Sequence, residues 1–285
     1  MTATLRASII VIGDEILGGF VADTNSGWLA GRFHAEGVPL DRVTTVPDDA
    51  AAIDEALSAE LARARPRLII TSGGIGSTPD DLTLAAVAAS LGRPTTVQPE
   101  IDARITRALE WTAARGISVT PAHEQSMRRM ARVPDGSYLL TGANGVVPGV
   151  AVDVDGGARD ARGATVVILP GVPSELRAIY DGGVAPTLVA GRGVPQHVAE
   201  VTHDYPESTL NPVLDRIVAE YPDVSCGSYP GRECVIRLKG ERDRVAAAMR
   251  LVEDYLGELA AQPGSAAMRE RWRAYWVPRT QPDGP

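Results

Sequence analysis

Lysine is almost missing from this 285-residue chain: Lys239 is the only one, and every other basic residue is arginine. We read that as a compositional bias of the source genome, not as chemistry. The 28 basic residues are outnumbered by 36 acidic ones, and the net charge of −8 argues against a nucleic-acid partner held by phosphate neutralisation. Cysteine is scarce too. Cys226 and Cys234 match neither a zinc pattern nor a CxxC redox pair, so two reduced thiols in or near a small sheet are expected. No apolar run approaches the roughly 18 residues of a spanning helix. The start, Met1 to Arg6, has no signal-peptide shape, so the expected location is cytoplasmic, with no membrane partner. His34, His123, His197 and His203 are scattered without metal-ligand spacing. There is no Gly-x-Ser-x-Gly elbow and no Walker A lysine, which leaves covalent catalysis without an obvious nucleophile.

What is present is ordinary globular material: 44% hydrophobic and 22% charged residues, enough to bury a core. The length suggests one large domain and a smaller one. Ala7–Ile12, Leu40–Val46, Arg67–Thr71 and Ala164–Leu169 read as buried strands, with Tyr138–Leu140 and Val150–Val154 as shorter ones. Between them lie helical patterns. One is capped by Asn25 and closed by Gly37, one is capped by Asp48, and one runs from Pro79 to Leu91. Others span Pro99–Arg115, Ala122–Arg132 and Pro173–Tyr180. Strands alternating with helices predict an α/β fold with a mostly parallel sheet covered on both faces. Composition shifts near Gly191–Gly193. Beyond it the pattern is strand, helix, strand, strand, helix: a small α+β (β-α-β-β-α) domain. The expected domains are therefore 1–193 and 194–262, followed by a tail at 263–285 that is either disordered or docked on the body or a second subunit.

Ser72 to Asp81 follows a strand and opens a helix, the junction where open α/β sheets place ligands. Gly73, Gly74 and Gly76 remove side chains, so backbone N–H groups can approach a phosphate. A helix start alone would explain Thr78 as N-cap, Pro79 at the first position and Asp80 and Asp81 in the first turn, but three glycines exceed what a cap requires. The two carboxylates would repel a bare phosphate. A divalent cation bridging them removes the conflict, since magnesium favours carboxylates plus substrate phosphates.

Further groups follow other strands. Gly13-Asp14-Glu15, with Asp23-Thr24-Asn25 after it, is either a solvated loop with a cap or part of a site. Pro47-Asp48-Asp49 reads by itself as simple N-capping. Pro170-Gly171-Val172-Pro173-Ser174-Glu175 is a rigid turn that would also make a ligand wall, and Asn144 to Gly149 reads as a turn. Four of these groups follow strands of one parallel sheet, which must bring them to one edge.

Together, Gly13 to Gly19, Asp23-Thr24-Asn25, Pro47-Asp48-Asp49, Gly73 to Thr83 and Pro170 to Glu175 resemble the CinA competence/damage-inducible family, whose domain is shared with molybdopterin-binding (MoaB/MogA-like) proteins. The segment opening at Glu207-Ser208-Thr209-Leu210 resembles the middle domain of CinA-type chains. The resemblance implies a three-layer α/β/α domain. It also implies a divalent-metal-dependent pyrophosphatase (magnesium, manganese or cobalt) acting on ADP-ribose-like or dinucleotide substrates. The alternatives are a pterin or nucleotide holder without turnover, or a molybdopterin-adenylylating protein of molybdenum-cofactor biosynthesis.

By motif it places Asp48 and Asp81 in catalysis and Asp80 with Asp81 at the metal. Gly13, Asp14, Glu15, Thr24, Asn25, Ser72, Gly73, Gly74, Gly76, Thr78, Thr83 and Pro170 through Ser174 would line the substrate pocket. The implied partner is a nucleotide or pterin, and self-association as a homodimer or larger is expected. Ser77 stands where the family usually has proline, and Val146-Val147 replaces a usual Thr-Ala pair. No segment like the amidase domain of full-length CinA follows, so deamidation of nicotinamide mononucleotide is not expected.

Overall fold

The computed structural model describes residues 4–142, 145–158, 160 and 162–276. Two compact units divide the chain, Met1–Pro195 and Gln196–Pro285.

The first unit runs β1 (Arg6–Ile12), α1 (Asp14–Leu17), α2 (Asn25–Ala35), β2 (Leu40–Val46), α3 (Ala50–Leu61), β3 (Arg67–Ser72), α4 (Thr83–Ser90), β4 (Thr95–Val97), α5 (Pro99–Ala114), α6 (Pro121–Arg129), β5 (Arg132–Pro134), β6 (Tyr138–Leu140), β7 (Gly149–Val154), β8 (Ala164–Leu169) and α7 (Pro173–Ile179). A π-helix, Tyr180–Val189, continues directly from α7. Six strands form one sheet in the order β2-β1-β3-β8-β7-β6. β2, β1, β3 and β8 are mutually parallel, and β7 runs antiparallel to both β8 and β6.

Strand alternation makes the sheet two-sided. From β1, Ala7, Ile9 and Val11 enter one core with Leu29 and Phe33 of α2 and Leu176 and Ile179 of α7. Ile10 and Ile12 enter the other, with Ile53 and Leu57 of α3, Val87 of α4 and Ile101 and Ile105 of α5. Full burial of each such side chain contributes about 1.5–3 kcal/mol. The architecture is three-layer α/β/α, as the resemblance implies. The helix after β1 packs on one face and the helix after β3 on the other, so the chain reverses sides between two adjacent strands and opens a crevice at their carboxyl ends.

Several local expectations need correction. The helix expected from Pro79 begins at Thr83, and Asp81 N–H closes a turn on Thr78 O before it. Thr78 is therefore not its cap, and Asp80 and Asp81 are not in its first turn. The cap of α3 is Asp49, not Asp48: its Oδ1 accepts from the N–H groups of Ala51 and Ala52 at 3.0 and 2.9 Å. Asn25 lies inside α2, and it is Asp23 that accepts the first N–H groups, from Asn25 and Ser26, both at 3.0 Å. The two-stranded β4–β5 ladder and the π-helix had no sequence signal we recognised.

The second unit runs β9 (His197–His203), a 3-10 turn (Glu207–Leu210), α8 (Asn211–Glu220), β10 (Ser225–Tyr229), β11 (Cys234–Gly240), α9 (Arg242–Ala261) and α10 (Ser265–Tyr275). The sheet is antiparallel in the order β10-β11-β9. Ile236 and Leu238 of β11 pack against Val213 and Ile217 of α8 and Val245 and Val252 of α9. Both cysteines are free, Cys234 buried and Cys226 partly so. Much of the expected tail is helical. Trp272 Nε1 donates to Gly231 O at 3.1 Å, and Tyr205 Oη and Ser265 Oγ bond at 2.8 Å, which ties α10 to the unit. The part of the tail from 277 onward lies outside the described residues. Among the described residues no helix is long and apolar enough to cross a membrane.

Candidate functional site

Four parallel strands deliver their following loops to one edge, and hydrogen bonds lock those loops together. Gly13 N–H, after β1, donates to Val46 O at the end of β2 at 3.1 Å. Gly73 N–H, after β3, donates to Leu169 O at the end of β8 at 3.1 Å. Asn25, buried on α2, reaches across with Nδ2 to Ser72 Oγ at 3.1 Å and Gly171 O at 2.8 Å.

The glycine loop leaves β3 by an abrupt turn. Gly73 has φ +110°, and a Cβ there would lie 2.1 Å from Ile12 O. Gly74 has φ +64°, and a Cβ there would lie 2.3 Å from Thr83 Oγ1. Both positions exclude other residues sterically as well as conformationally. Gly73→Ala is expected to lower stability by about 2 kcal/mol or more, read as a drop in the urea midpoint. Buried Thr83 closes the loop from below: its hydroxyl donates to Gly73 O at 2.9 Å, and its N–H donates to Gly74 O at 3.0 Å. Asp81 closes the other end, its Oδ2 accepting from Thr78 N at 2.8 Å and Thr78 Oγ1 at 2.6 Å. Arg129 of α6 steadies the middle by donating to Ser77 O at 2.8 Å.

Between those two closures, the N–H groups of Gly74, Ile75, Gly76 and Ser77 have no acceptor among the described residues. Consecutive unpaired backbone donors at a strand end form an anion-binding concavity. Sequence reasoning reached the glycines but not Ile75 or Arg129. Ile75 is a buried apolar residue that anchors the loop to the core.

With Asp49 acting as the cap, Asp48 turns toward the loops. Its Oδ2 accepts Asp14 N–H at 2.9 Å, and its Oδ1 lies 3.3 Å from where a Gly74 Cβ would stand. Burial raises the Asp48 carboxyl above its ordinary range. The Asp14 N–H opposes this, and the charges of Glu15, Asp14 and Asp80 add to it. Asp80 is fully exposed, and the neighbouring Thr78 hydroxyl holds its carboxyl below the usual range.

The remaining expected residues divide by role. Ser72, Thr83 and Pro170 are buried and brace the edge. Asp14, Glu15, Gly76, Thr78, Asp80 and 171–174 are exposed along an open rim. Thr24 is exposed, with no side-chain hydrogen bond to the helix it precedes. Of the loop at 144–149, Asn144 lies outside the described residues, and Val147 is buried in the core.

Among the described residues, no group of three or more His, Cys, Asp or Glu side chains could hold a metal ion. A cation at this edge would need oxygens from a ligand's phosphates in addition to those of the chain.

Sheet order and reversal point define a doubly wound α/β protein whose strand-end crevice carries a run of backbone donors without acceptors among the described residues. A family model for a probable molybdopterin binding domain matches residues 8–190. A curated protein of Aeropyrum pernix is 36% identical over 227 residues, covering 79% of this chain and 79% of that protein. One of Pyrococcus horikoshii is 33% identical over 216 residues, covering 75% of this chain and 80% of that protein. Among solved structures, the protein CinA of unknown function from Thermoplasma acidophilum is 28% identical with a TM-score of 0.52, covering 64% of this chain and 96% of that one. The chain belongs to the molybdopterin-binding domain family, and that domain is CinA-like.

Proposed function

We propose that the first unit is a divalent-cation-dependent nucleotide pyrophosphatase that hydrolyses the diphosphate of an ADP-ribose-like molecule or a dinucleotide. The observation that carries this reading is the run of unpaired N–H groups from Gly74 to Ser77 with the Asp48 carboxylate beside it. The donors would hold one phosphate by its oxygens. Asp48, whose proton affinity is raised, would accept the proton of an attacking water as the bridging P–O bond breaks, leaving two phosphate monoesters. Asp81 uses Oδ2 to shape the loop and leaves Oδ1, with Asp80, for a magnesium, manganese or cobalt ion. Such an ion would neutralise charge developing on the diphosphate. Val172 to Ser174 would form the outer wall.

The test is to supply ADP-ribose or FAD with each of the three metal ions and assay AMP. AMP is expected, with a loss of about 10²-fold or more in Asp81→Ala. A second reading is a pterin or nucleotide holder without turnover, including a molybdenum-cofactor biosynthesis role. The family description favours it. No AMP with any ion, together with a ligand-dependent rise in Tm, would establish it over the first.

A further inference from the structure

The second unit holds a cavity of about 600 Å³ that the proposed reaction does not use. Arg232, Arg269 and Arg273 stand in its wall with His203, Asp204 and Glu233. Two of the arginines, on α10, are held by one carboxylate. Asp204 accepts from Arg269 Nε and lies 3.4 Å from Arg273 Nε. Burial by itself would raise the Asp204 carboxyl. The hydrogen bond from Arg269 and the charges of both arginines outweigh it, so Asp204 stays below the usual range, ionised. Arg269 thus engages Asp204 through Nε, and Arg273 Nε donates to Arg269 O at 3.4 Å beside the same carboxylate; among the described residues the terminal nitrogens of both have no hydrogen-bond acceptor. Arg232, in the turn between β10 and β11, is exposed and has no ion-pair partner among the described residues.

Three guanidinium groups face one cavity against two carboxylates, and Asp204 is already matched. Free guanidinium forks around a concave site suit an anion with several oxygens, phosphate above all. The volume is far more than one phosphate fills and lies within the usual range for small-molecule sites. We propose that this cavity binds a phosphorylated small molecule, with its phosphate on Arg232, Arg269 and Arg273. The site lies wholly within residues of the second unit and is independent of the reaction proposed for the first.

His203 is a built-in reporter. It is nine-tenths buried in the wall. Its Nδ1 accepts Tyr205 N–H at 3.3 Å, which leaves the neutral ring's proton on Nε2, where among the described residues it has no acceptor. With four histidines in the chain, the His203 ring signal can be assigned by a single His203→Gln variant. The experiment is an NMR titration of the full chain with inorganic phosphate, AMP and ribose 5-phosphate in parallel. We expect a saturable shift of the His203 ring and an affinity about tenfold lower in Arg232→Ala, a change at an exposed, unpaired residue that leaves packing intact. Glu233→Gln should bind more tightly. Asp48→Asn, in the other unit, should leave this titration unchanged, so that failure here and failure at the sheet edge are read separately. Tighter binding of AMP or ribose 5-phosphate than of phosphate supports the site and assigns the organic portion; equal affinities support a site for the phosphate group alone. A ring signal that does not move, moves equally with chloride at matched ionic strength, or titrates identically in Arg232→Ala overturns the proposal.

Discussion

Asp48→Asn is expected to lower turnover by about 10²- to 10⁴-fold, the usual contribution of a general base, while leaving the protein as stable as before or more so. The structural reason is that Asp48 is not needed to start α3, because Asp49 is the cap. Asparagine keeps an oxygen that can accept Asp14 N–H, so the loop contact at 2.9 Å survives. What asparagine removes is a negative charge that burial and the neighbouring Glu15, Asp14 and Asp80 disfavour. A carboxyl raised in the fold contributes stability that is fully present below its unfolded value and is lost as pH rises through its folded value. The variant should therefore match the parent at about pH 4 and exceed it at neutral pH, read as a higher Tm there. Thermal melts across that range, set beside the AMP assay, check both halves. A variant that loses turnover and stability together would mean that Asp48 holds the loops and does not act on water.

The second large effect lies at the opposite end of the same strands. Arg67, 1% exposed, places NH2 2.6 Å from Asp41 Oδ2 and NH1 2.6 Å from Ser8 Oγ and 3.4 Å from Glu60 Oε2. Its Nε donates to Ala64 O at 3.0 Å. Arg67→Met should destabilise the first unit by about 3–5 kcal/mol, because it leaves buried carboxylates with less compensation. Arg6 still serves Asp41, and Arg42 and Arg63 still lie near Glu60, which places the expected loss toward the low end. Adding Glu60→Leu and Ser8→Ala to Arg67→Met should recover much of it, since replacing a buried ionic group as a whole is often near neutral. Denaturant unfolding measures both. Parallel strands put this network at their amino ends and the crevice at their carboxyl ends, so the activity of the folded fraction should be unchanged. A full loss in the triple variant as well would show that the site cannot repack.

The comparison of sequence with structure is most instructive at two turns. At Pro47-Asp48-Asp49, both acids suit a cap, and the propensities of aspartate cannot say which one takes it. The choice rests on the path of α3, and it decides whether Asp48 is structural or free for chemistry. At Gly73 to Thr83, helix-start chemistry pointed to Thr78-Pro79. The helix instead begins at Thr83, because Thr83 ties back to Gly73 and Gly74 and Asp81 folds onto Thr78. That turn keeps Thr78 to Leu82 out of the helix, and the glycine loop before it is shaped by the same contacts. A cap competes with such tertiary contacts at similar energies, so local preference alone does not decide it.

The sequence by itself determined the layers. Apolar runs alternating with helical periodicity demand a parallel sheet covered on both faces, and parallel connection sends every following loop to one edge. Gly13, Asp48, Gly73 and Pro170 are neighbours for that reason alone. Only the tertiary structure decided which groups at that edge are occupied and which are free. Ser72, Thr83 and Asn25 are taken up in bracing it, whereas Asp48 Oδ1 and the loop's N–H groups are left over among the described residues. Polar groups pair with whatever the folded chain brings within about 3 Å, and most of those partners are far away in sequence.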